Sequence, residues 1–544
     1  MKIAISQINP RVGDVAWNLK VILGQIQKAK TAKCDLVLFP ELSVLGYPPR
    51  DLIEYSHIVD ENLAALEKIK NESSGITVVV GYVERNPALI GKPFFNSAAV
   101  FQEGKCIKNY RKWLLPYYDI FEEERYFESG SEVAVFQIKN KKIALTLCED
   151  LWNEPGFLPR RYEKRPVDAL SGEKLDLVLN LSASPFQLGK KEIREKLFQL
   201  VSKKLKAPIV YCNQVGANDE LIFDGLSFVM NEMGKQTQAK AFEPELLTWS
   251  LEACSKVLLE SSKSESQWLM EALVLGIRDY LEKTPAKTVC LGLSGGIDSS
   301  VVAALAVKAL GPERVFGFAL PSRFNASQSL EDAQKLAANL GISCKTFSIE
   351  KVFELLRTEL TLGLGSNPKT LTLENIQPRI RMTLLMALAN EEGHLVLNTS
   401  NKSEITAGYA TQYGDTAGAI AVLGDLTKHQ VYDLAREFNS ITEVIPNRVI
   451  TRPPSAELRE NQTDQETLPP YDILDRIVVD HLERSLPLAG VEGAWVSREI
   501  LEKVSKLNSI SEYKRRQLPP ALRVSSKAFG IGRRIPVVGR KPSQ

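Results

Sequence analysis

The run Ser294-Gly295-Gly296-Ile297-Asp298-Ser299-Ser300 gathers glycines, hydroxyls and a carboxylate into a few consecutive positions. An apolar run, residues 289–293, precedes it and reads as a buried strand. Residues 301–310 follow with the pattern of a helix that ends at Gly311-Pro312. A strand, a glycine turn and a helix N-terminus make an anion site, because backbone N–H groups and the positive end of the helix dipole face the same point. No Lys-Ser/Thr pair closes a G-x-x-x-x-G frame, so the loop is not of the Walker type, and it is not a dinucleotide fingerprint. Three reactive side chains stand at strand or loop ends in the first half of the chain. Glu41 follows Phe39-Pro40, Lys112 lies in Tyr110-Arg111-Lys112-Trp113-Leu114-Leu115-Pro116, and Cys148 leaves the apolar run 143–147 just before Glu149-Asp150. Taken singly, each has an ordinary reading as a core thiol or a solvated charge.

The elements that must carry these groups alternate. In the first half, residues 2–7 alternate as a strand, and 18–33 carry Leu19, Ile22, Ile26 and Ala29 at helical spacing. Residues 35–40 form a buried strand that ends at Glu41, and further strands are expected at 76–83, 97–101, 133–138, 143–147, 175–181 and 208–212. That rhythm predicts a layered α/β domain. From Phe242 it lapses, and Ser261-Ser262-Lys263-Ser264-Glu265-Ser266 has the composition of a connector. The expected division is a first domain at 1–245, a connector at 246–265 and a second domain at 266–544. In the second half, strands at 289–293, 314–320, 342–349 and 395–400 alternate with helices such as 327–339. This predicts a parallel, doubly wound sheet with a nucleotide at the C-terminal ends of its strands.

The totals bound the possibilities. A chain of 544 residues is too long for one typical core. A net charge of +2 signals no general nucleic-acid binding, although the C-terminal stretch is locally basic. No run approaches a membrane span and the N-terminus has no signal-peptide layout, so no membrane role and a cytoplasmic location are expected. The cysteines, seven in all, include no C-x-x-C pair, which points away from disulfides and zinc. With only four histidines, the chemistry is expected to do without a histidine base.

Together, Phe-Pro-Glu-Leu at Glu41, Arg-Lys-x-x-Leu-Pro at Lys112 and Leu-Cys-Glu-Asp at Cys148 resemble the Glu–Lys–Cys triad of the nitrilase (carbon–nitrogen hydrolase) superfamily, in the same chain order. The resemblance implies an α-β-β-α sandwich in which Cys148 is the nucleophile and Glu41 takes its proton. Lys112, with the backbone N–H of Glu149, would hold the oxyanion. Tyr118 and the segment Phe121-Glu122-Glu123-Glu124-Arg125-Tyr126-Phe127 match glutamine-hydrolysing members, where a second glutamate, here Glu123, steadies the lysine. Asn180-Leu181-Ser182-Ala183-Ser184-Pro185-Phe186 and Lys190 resemble the part that grips the amino-acid end of glutamine, with Ser184 and Lys190 as the gripping residues.

The loop at 294–300 resembles the S-G-G-x-D-S pyrophosphate loop of the ATP pyrophosphatases, which implies a Rossmann-like second domain. Further runs resemble the NAD synthetases: Glu374-Asn375-Ile376-Gln377-Pro378-Arg379-Ile380-Arg381, Asn398-Thr399-Ser400-Asn401-Lys402-Ser403-Glu404, Gly424-Asp425-Leu426-Thr427-Lys428, Gln462-Thr463-Asp464 and Lys514-Arg515-Arg516-Gln517. Asn398 and Pro378 depart from the usual glycine and alanine without removing a chemical group. End to end, the chain resembles the glutamine-dependent members of that family. The resemblance implies ATP as co-substrate at Leu293, Ser294, Gly295, Gly296, Ile297, Asp298, Ser299, Ser300 and Thr399. It implies Mg²⁺ on Asp298 and Glu404, and deamido-NAD on Asn375, Arg379, Glu404 and Lys514. The implied reaction is amidation of deamido-NAD to NAD through an adenylate, with ammonia from L-glutamine passing along a shielded tunnel, in a homo-oligomer. Two alternatives remain open on the residues alone. One is an amidotransferase that activates a different carboxylate, and the other is an amidase with a nucleotide-sensing second half.

Overall fold

Along the strand Lys141–Leu147, Ile143, Leu145 and Leu147 enter one hydrophobic cluster while Ala144 enters another. Side chains alternate across a strand, so a strand with both faces apolar lies between two packed layers. In the computed structural model, which describes residues 1–158, 162–252, 258, 263–491, 493 and 495–539, that strand belongs to one of two six-stranded sheets in the first unit, Met1–Ser262. The first sheet runs, in spatial order, Glu245–Ser250, Lys2–Gln7, Leu36–Leu38, Thr77–Arg85, Phe94–Gln102 and Lys105–Arg111. The second runs Gly234–Gln238, Phe228–Asn231, Ile209–Asn213, Leu177–Ser182, Lys141–Leu147 and Ala134–Ile138. Ile3, Leu38, Val79 and Val100 of the first sheet meet Leu145, Leu179, Val210 and Val229 of the second in a single core.

Helices cover the outer faces. Val15–Thr31 and Ser56–Asn71 pack on the first sheet. Lys190–Leu205 lays Leu197, Phe198, Val201 and Leu205 on the second. The unit is thus an α-β-β-α sandwich. The β rhythm does not lapse at Phe242 as the sequence suggests. Glu245–Ser250, placed by the sequence mostly in a connector, is a strand paired antiparallel with Lys2–Gln7. Its polar-edged pattern hides it, because an edge strand buries little besides Trp249. Ser261-Ser262 of the polar connector, and Cys254, lie outside the described residues.

The second unit, Lys263–Gln544, is built on a five-stranded parallel sheet in the spatial order Ser343–Thr346, Val315–Ala319, Thr288–Gly292, His394–Asn398 and Ile420–Ala421. Counted along the chain, that order is third, second, first, fourth, fifth. The strand order reverses between Thr288–Gly292 and His394–Asn398, and ligands of open α/β sheets bind at the C-terminal ends of the strands beside such a point. Ile297–Leu310 packs with Glu265–Glu282 and Lys428–Phe438 on one side of the sheet. On the other side, Phe353 of Glu350–Leu364 and Ile380 and Leu385 of Thr370–Glu392 pack with Cys290, Phe318 and Val396. The helix after the glycine loop starts at Ile297, not at residue 301, so Asp298, Ser299 and Ser300 stand in its first turn. Among the described residues no helix is long and apolar enough to cross a membrane. Cys34, Cys106, Cys148, Cys212, Cys290 and Cys344 are free thiols.

Phe198 is 0% exposed, with its ring centroid 4.9 Å from that of Tyr211 and 5.2 Å from that of Phe228. Phe198→Ala is expected to destabilise the sandwich by about 3–5 kcal/mol, read as a shift of the unfolding midpoint in urea.

Candidate functional site

In the first unit, three strand ends deliver three reactive groups. Glu41 follows the strand Leu36–Leu38 by way of Phe39-Pro40, Lys112 directly follows Lys105–Arg111, and Cys148 directly follows Lys141–Leu147. Lys112 Nζ donates to Glu41 Oε1 at 2.7 Å and to Glu123 Oε1 and Oε2 at 2.8 and 3.0 Å. All three side chains are buried. Asn96 Nδ2 donates to both carboxylates, at 2.8 Å to Glu41 and 3.1 Å to Glu123. The Tyr47 hydroxyl donates to Glu123 Oε1 at 2.9 Å, and the Ala183 N–H donates to Glu41 Oε2 at 3.0 Å.

Burial by itself would lower the Lys112 ammonium, but Glu123 and then Glu41 hold it well above the usual lysine value. Burial raises Glu123 to about 7, against the pull of Lys112. Burial and then the Glu41 charge push the Cys148 thiol well above its ordinary value, with Lys112 opposing. At rest the cysteine is therefore a neutral thiol facing a carboxylate–ammonium pair. A carboxylate in that position can take the proton as the sulfur attacks, and an ammonium can stabilise an oxyanion. Cys148 has φ +38°, in the left-handed region, and begins the short turn Cys148–Leu151. A non-glycine residue is held there only where its surroundings over-determine it.

Around this cluster, the Tyr118 and Tyr162 hydroxyls both donate to Glu149 Oε1, at 2.9 and 3.1 Å. Burial raises Glu149, while Lys112, the two tyrosines and Lys190 oppose it. Lys190 Nζ donates to Pro185 O at 3.1 Å and sits 5.5 Å from the Trp152 ring centroid. Ser184 is buried, and its N–H donates to Asn213 Oδ1 at 2.9 Å.

In the second unit, the glycine loop closes on itself. Gly296 N–H donates to Ser294 Oγ at 3.1 Å, Ser294 and Ser299 hydroxyls share a bond of 3.1 Å, and Ser300 Oγ donates to Gly296 O at 2.8 Å. Gly295 has φ +75°, and a Cβ there would stand 2.1 Å from Ser329 O. Ser294, Gly296, Phe318, Arg381, Thr399 and Arg452 help to line a cavity of about 220 Å³ at the switch point of the sheet, and Leu293 lines it too. Ile297 and Ser300 have buried side chains, so their backbone groups are what they can offer a ligand.

Beside the loop, Lys428 Nζ donates to Asp298 Oδ2 at 2.6 Å and to Glu404 Oε1 at 3.0 Å. Asn401 donates from Nδ2 to Asp298 Oδ1 at 2.9 Å and accepts the Glu404 N–H at 3.0 Å, capping the helix Lys402–Ala407. Burial and then the Asp298 charge, with Lys428 opposing, raise Glu404 to about 8. Two carboxylates that converge on one cation are a donor set suited to a hard divalent ion completed by phosphate oxygens and water.

Asn375, Arg379 and Lys514 bond to the segment 408–412 through their side chains, and Glu404 through its backbone, its carbonyl accepting the Tyr409 N–H at 3.0 Å. Asn375 Oδ1 accepts from Thr411 Oγ1 at 2.8 Å, Arg379 Nε donates to Gln412 O at 3.1 Å, and Lys514 Nζ donates to Gly408 O and Ala410 O, each at 2.7 Å. These three gather on the segment 408–412, which leaves the helix that starts just before Glu404. The Glu404 side chain stands with Asp298 on Lys428. Sequence reasoning passed over Lys428 and Asn401, although both lie inside runs it singled out. It gives Glu149 a role for its backbone N–H only, and gives none to Tyr162, Asn96, Arg381 or Arg452. Burial and pairing distinguish these from ordinary surface charges, and neither is written in a residue's type.

The folds and geometry define a carbon–nitrogen hydrolase unit followed by an NAD synthase unit. Residues 2–252 match the carbon-nitrogen hydrolase family and residues 269–519 match the NAD synthase family. The chain is 41% identical, over 98% of its length and 98% of the relative's, to a glutamine-dependent NAD(+) synthetase of Synechocystis sp.. It is 37% identical, over 99% of each chain, to one of Thermotoga maritima. The structure of a glutamine-dependent NAD⁺ synthetase from Acinetobacter baumannii in complex with adenosine diphosphate is similar, with 36% identity, a TM-score of 0.78 and coverage of 98% of both chains. The chain belongs to the glutamine-dependent NAD(+) synthetase family.

Gly295→Ala is expected to break the loop, since the added Cβ meets backbone rather than a movable side chain. Thermal melting with and without ATP is expected to show an upward shift in the parent and none in Gly295→Ala.

Proposed function

We propose that this chain makes NAD from deamido-NAD, ATP and L-glutamine, releasing AMP, pyrophosphate and glutamate. The observation that carries the reading is the presence, in one chain of this family, of a buried Glu41–Lys112–Cys148 cluster and a glycine anion loop with paired carboxylates. Glutamine hydrolysis belongs to the first unit. Glu41 takes the thiol proton as the Cys148 sulfur attacks the side-chain amide carbon. Lys112 and the Glu149 N–H hold the oxyanion. The proton then passes to the leaving nitrogen, ammonia departs, and water hydrolyses the γ-glutamyl thioester. Glu123 keeps Lys112 charged and in place. Tyr118 and Glu149 suit the substrate's ammonium, and Ser184 and Lys190 its carboxylate.

Amidation belongs to the second unit. The nicotinate carboxylate attacks the α-phosphorus of ATP, pyrophosphate leaves, and ammonia displaces AMP from the acyl-adenylate. Ser294, Gly295, Gly296, Ile297, Ser299, Ser300 and Thr399, with Leu293, cradle the nucleotide. Asp298 and Glu404 would hold Mg²⁺, which neutralises charge on phosphate oxygens. Lys428 stands where it can meet pyrophosphate oxygens once those carboxylates turn to a metal. Asn375, Arg379, Glu404 and Lys514 are assigned to deamido-NAD. The enzyme is taken to be a cytoplasmic homo-oligomer, and light scattering measures the assembly.

Cys148→Ala tests the division of labour. NAD formation from glutamine should fall at least about a thousand-fold, while formation from added ammonium salt persists. If the parent enzyme makes NAD from neither nitrogen donor yet hydrolyses glutamine, a different acid is the acceptor.

A further inference from the structure

Asp150, two residues past Cys148, is 0% exposed. Its Oδ2 accepts from the Tyr110 hydroxyl at 2.7 Å and from the Leu147 N–H at 3.0 Å. Its Oδ1 accepts from the N–H groups of Trp113 and Leu114 at 3.1 and 3.0 Å. Tyr110 lies on the strand Lys105–Arg111 of the first sheet, and Leu147 ends the strand Lys141–Leu147 of the second. Trp113 and Leu114 directly follow Lys112, and Leu147 directly precedes Cys148. One carboxylate therefore ties the two sheets together at the point where the lysine leaves one and the cysteine leaves the other.

We propose that Asp150 is a positioning residue for glutamine hydrolysis, setting the Lys112 ammonium against the Cys148 sulfur by anchoring both of their backbones. The proposal rests on the reading of Lys112 and Cys148 given above. Asp150 is not a second base. A carboxylate has about four lone-pair sites, and four donors already occupy them. Its function also needs a carboxylate rather than mere packing. Without it the N–H groups of Trp113, Leu114 and Leu147 would be buried and unpaired. Asparagine has one acceptor oxygen and would turn an NH₂ toward two N–H or O–H donors.

The sheets of a sandwich are joined here by side-chain packing, which is nondirectional. Hydrogen bonds from a shared carboxylate fix distance and direction together. Glu41 does the same from the other side, since it follows a strand of the first sheet and accepts the Ala183 N–H beyond the end of the strand Leu177–Ser182 of the second. The difference is that the Glu41 charge acts on the Cys148 sulfur, whereas Asp150 bonds to the Tyr110 hydroxyl and to backbone N–H groups.

The test compares Asp150→Asn and Tyr110→Phe with the parent full-length enzyme. Steady-state glutamine hydrolysis and ammonium-driven NAD formation are measured on the same preparations. For Asp150→Asn, kcat for glutamine should fall about 100-fold, the scale of a displaced oxyanion donor, with the glutamine KM and the ammonium-driven rate unchanged. Tyr110→Phe removes a single donor and should lower kcat roughly 5–30-fold, again at constant KM. An unchanged kcat in either variant overturns the proposal. So does a loss of kcat in Tyr110→Phe matched by an equal loss of ammonium-driven synthesis, which would mean general unfolding. If Asp150→Asn fails to fold, Tyr110→Phe decides by the same criteria. Glutamine hydrolysis surviving in Cys148→Ala would instead overturn the assignment of the nucleophile, whatever Asp150 does.

Discussion

The ammonium of Lys112, shared between Glu41 and Glu123 with no access to water, is the interaction on which the first unit's site depends. At about 3 Å and an effective dielectric of about 20, one such contact is worth roughly 5 kcal/mol, and the lysine has two of them. Removing one partner from a buried pair typically costs about 3–5 kcal/mol, because the remaining charge is left unsolvated. The cluster therefore tolerates only arrangements in which all three groups are present and close. That requirement aligns the ends of two strands of the first sheet, Leu36–Leu38 and Lys105–Arg111, with the short helix Glu123–Tyr126. It also sets the state of Cys148. Burial, and then the charges of Glu41, Glu149 and Glu123 against one ammonium, disfavour ionisation of the sulfur.

The second unit uses the same device on different elements. Lys428 opens the helix Lys428–Phe438 and lies between Asp298, in the first turn of one helix, and Glu404, in the first turn of another. Both carboxylates stand near helix N-termini, where negative charge is favoured. Asn401 links them directly by bonding to the Asp298 side chain and the Glu404 backbone. In each unit a buried lysine pairs with two acids, fully buried in the first and half-buried in the second. In the first the proposed partner is a thiol proton, and in the second a phosphate-bearing ligand with its cation.

Backbone geometry carries the rest. The left-handed φ of Cys148 turns the sulfur out of the strand direction at the strand's end, and the positive φ of Gly295 lets the anion loop pass against Ser329. In both places a short apolar strand delivers the chain, a tight turn redirects it, and a helical turn begins at once. A turn of this kind suits an anion or oxyanion, because the first N–H groups of the helical turn that follows have no intrahelical partners.

The amino-acid sequence by itself determined the layering, the strand-end positions of Glu41, Lys112 and Cys148, and the strand–loop–helix around Asp298. Period-2 alternation and glycine or proline breaks are local properties, and residue type at a strand end is enough to nominate a reactive group. Family likeness in local runs added the two activities. The edge strand Glu245–Ser250 escaped because only its pairing with Lys2–Gln7 makes it a strand. Lys428, Asn401, the Glu149 side chain and Asp150 escaped as actors for a related reason. Their partners stand 24 residues or more away along the chain in most of their contacts, and a charge becomes functional through what it is buried against. The grouping of the Asn375, Arg379 and Lys514 side chains on the segment 408–412 likewise appears only in the fold. Local steric and hydrophobic patterns are written in neighbouring residues, whereas the pairing of buried charges is decided by which distant strand and helix ends the packed core brings together.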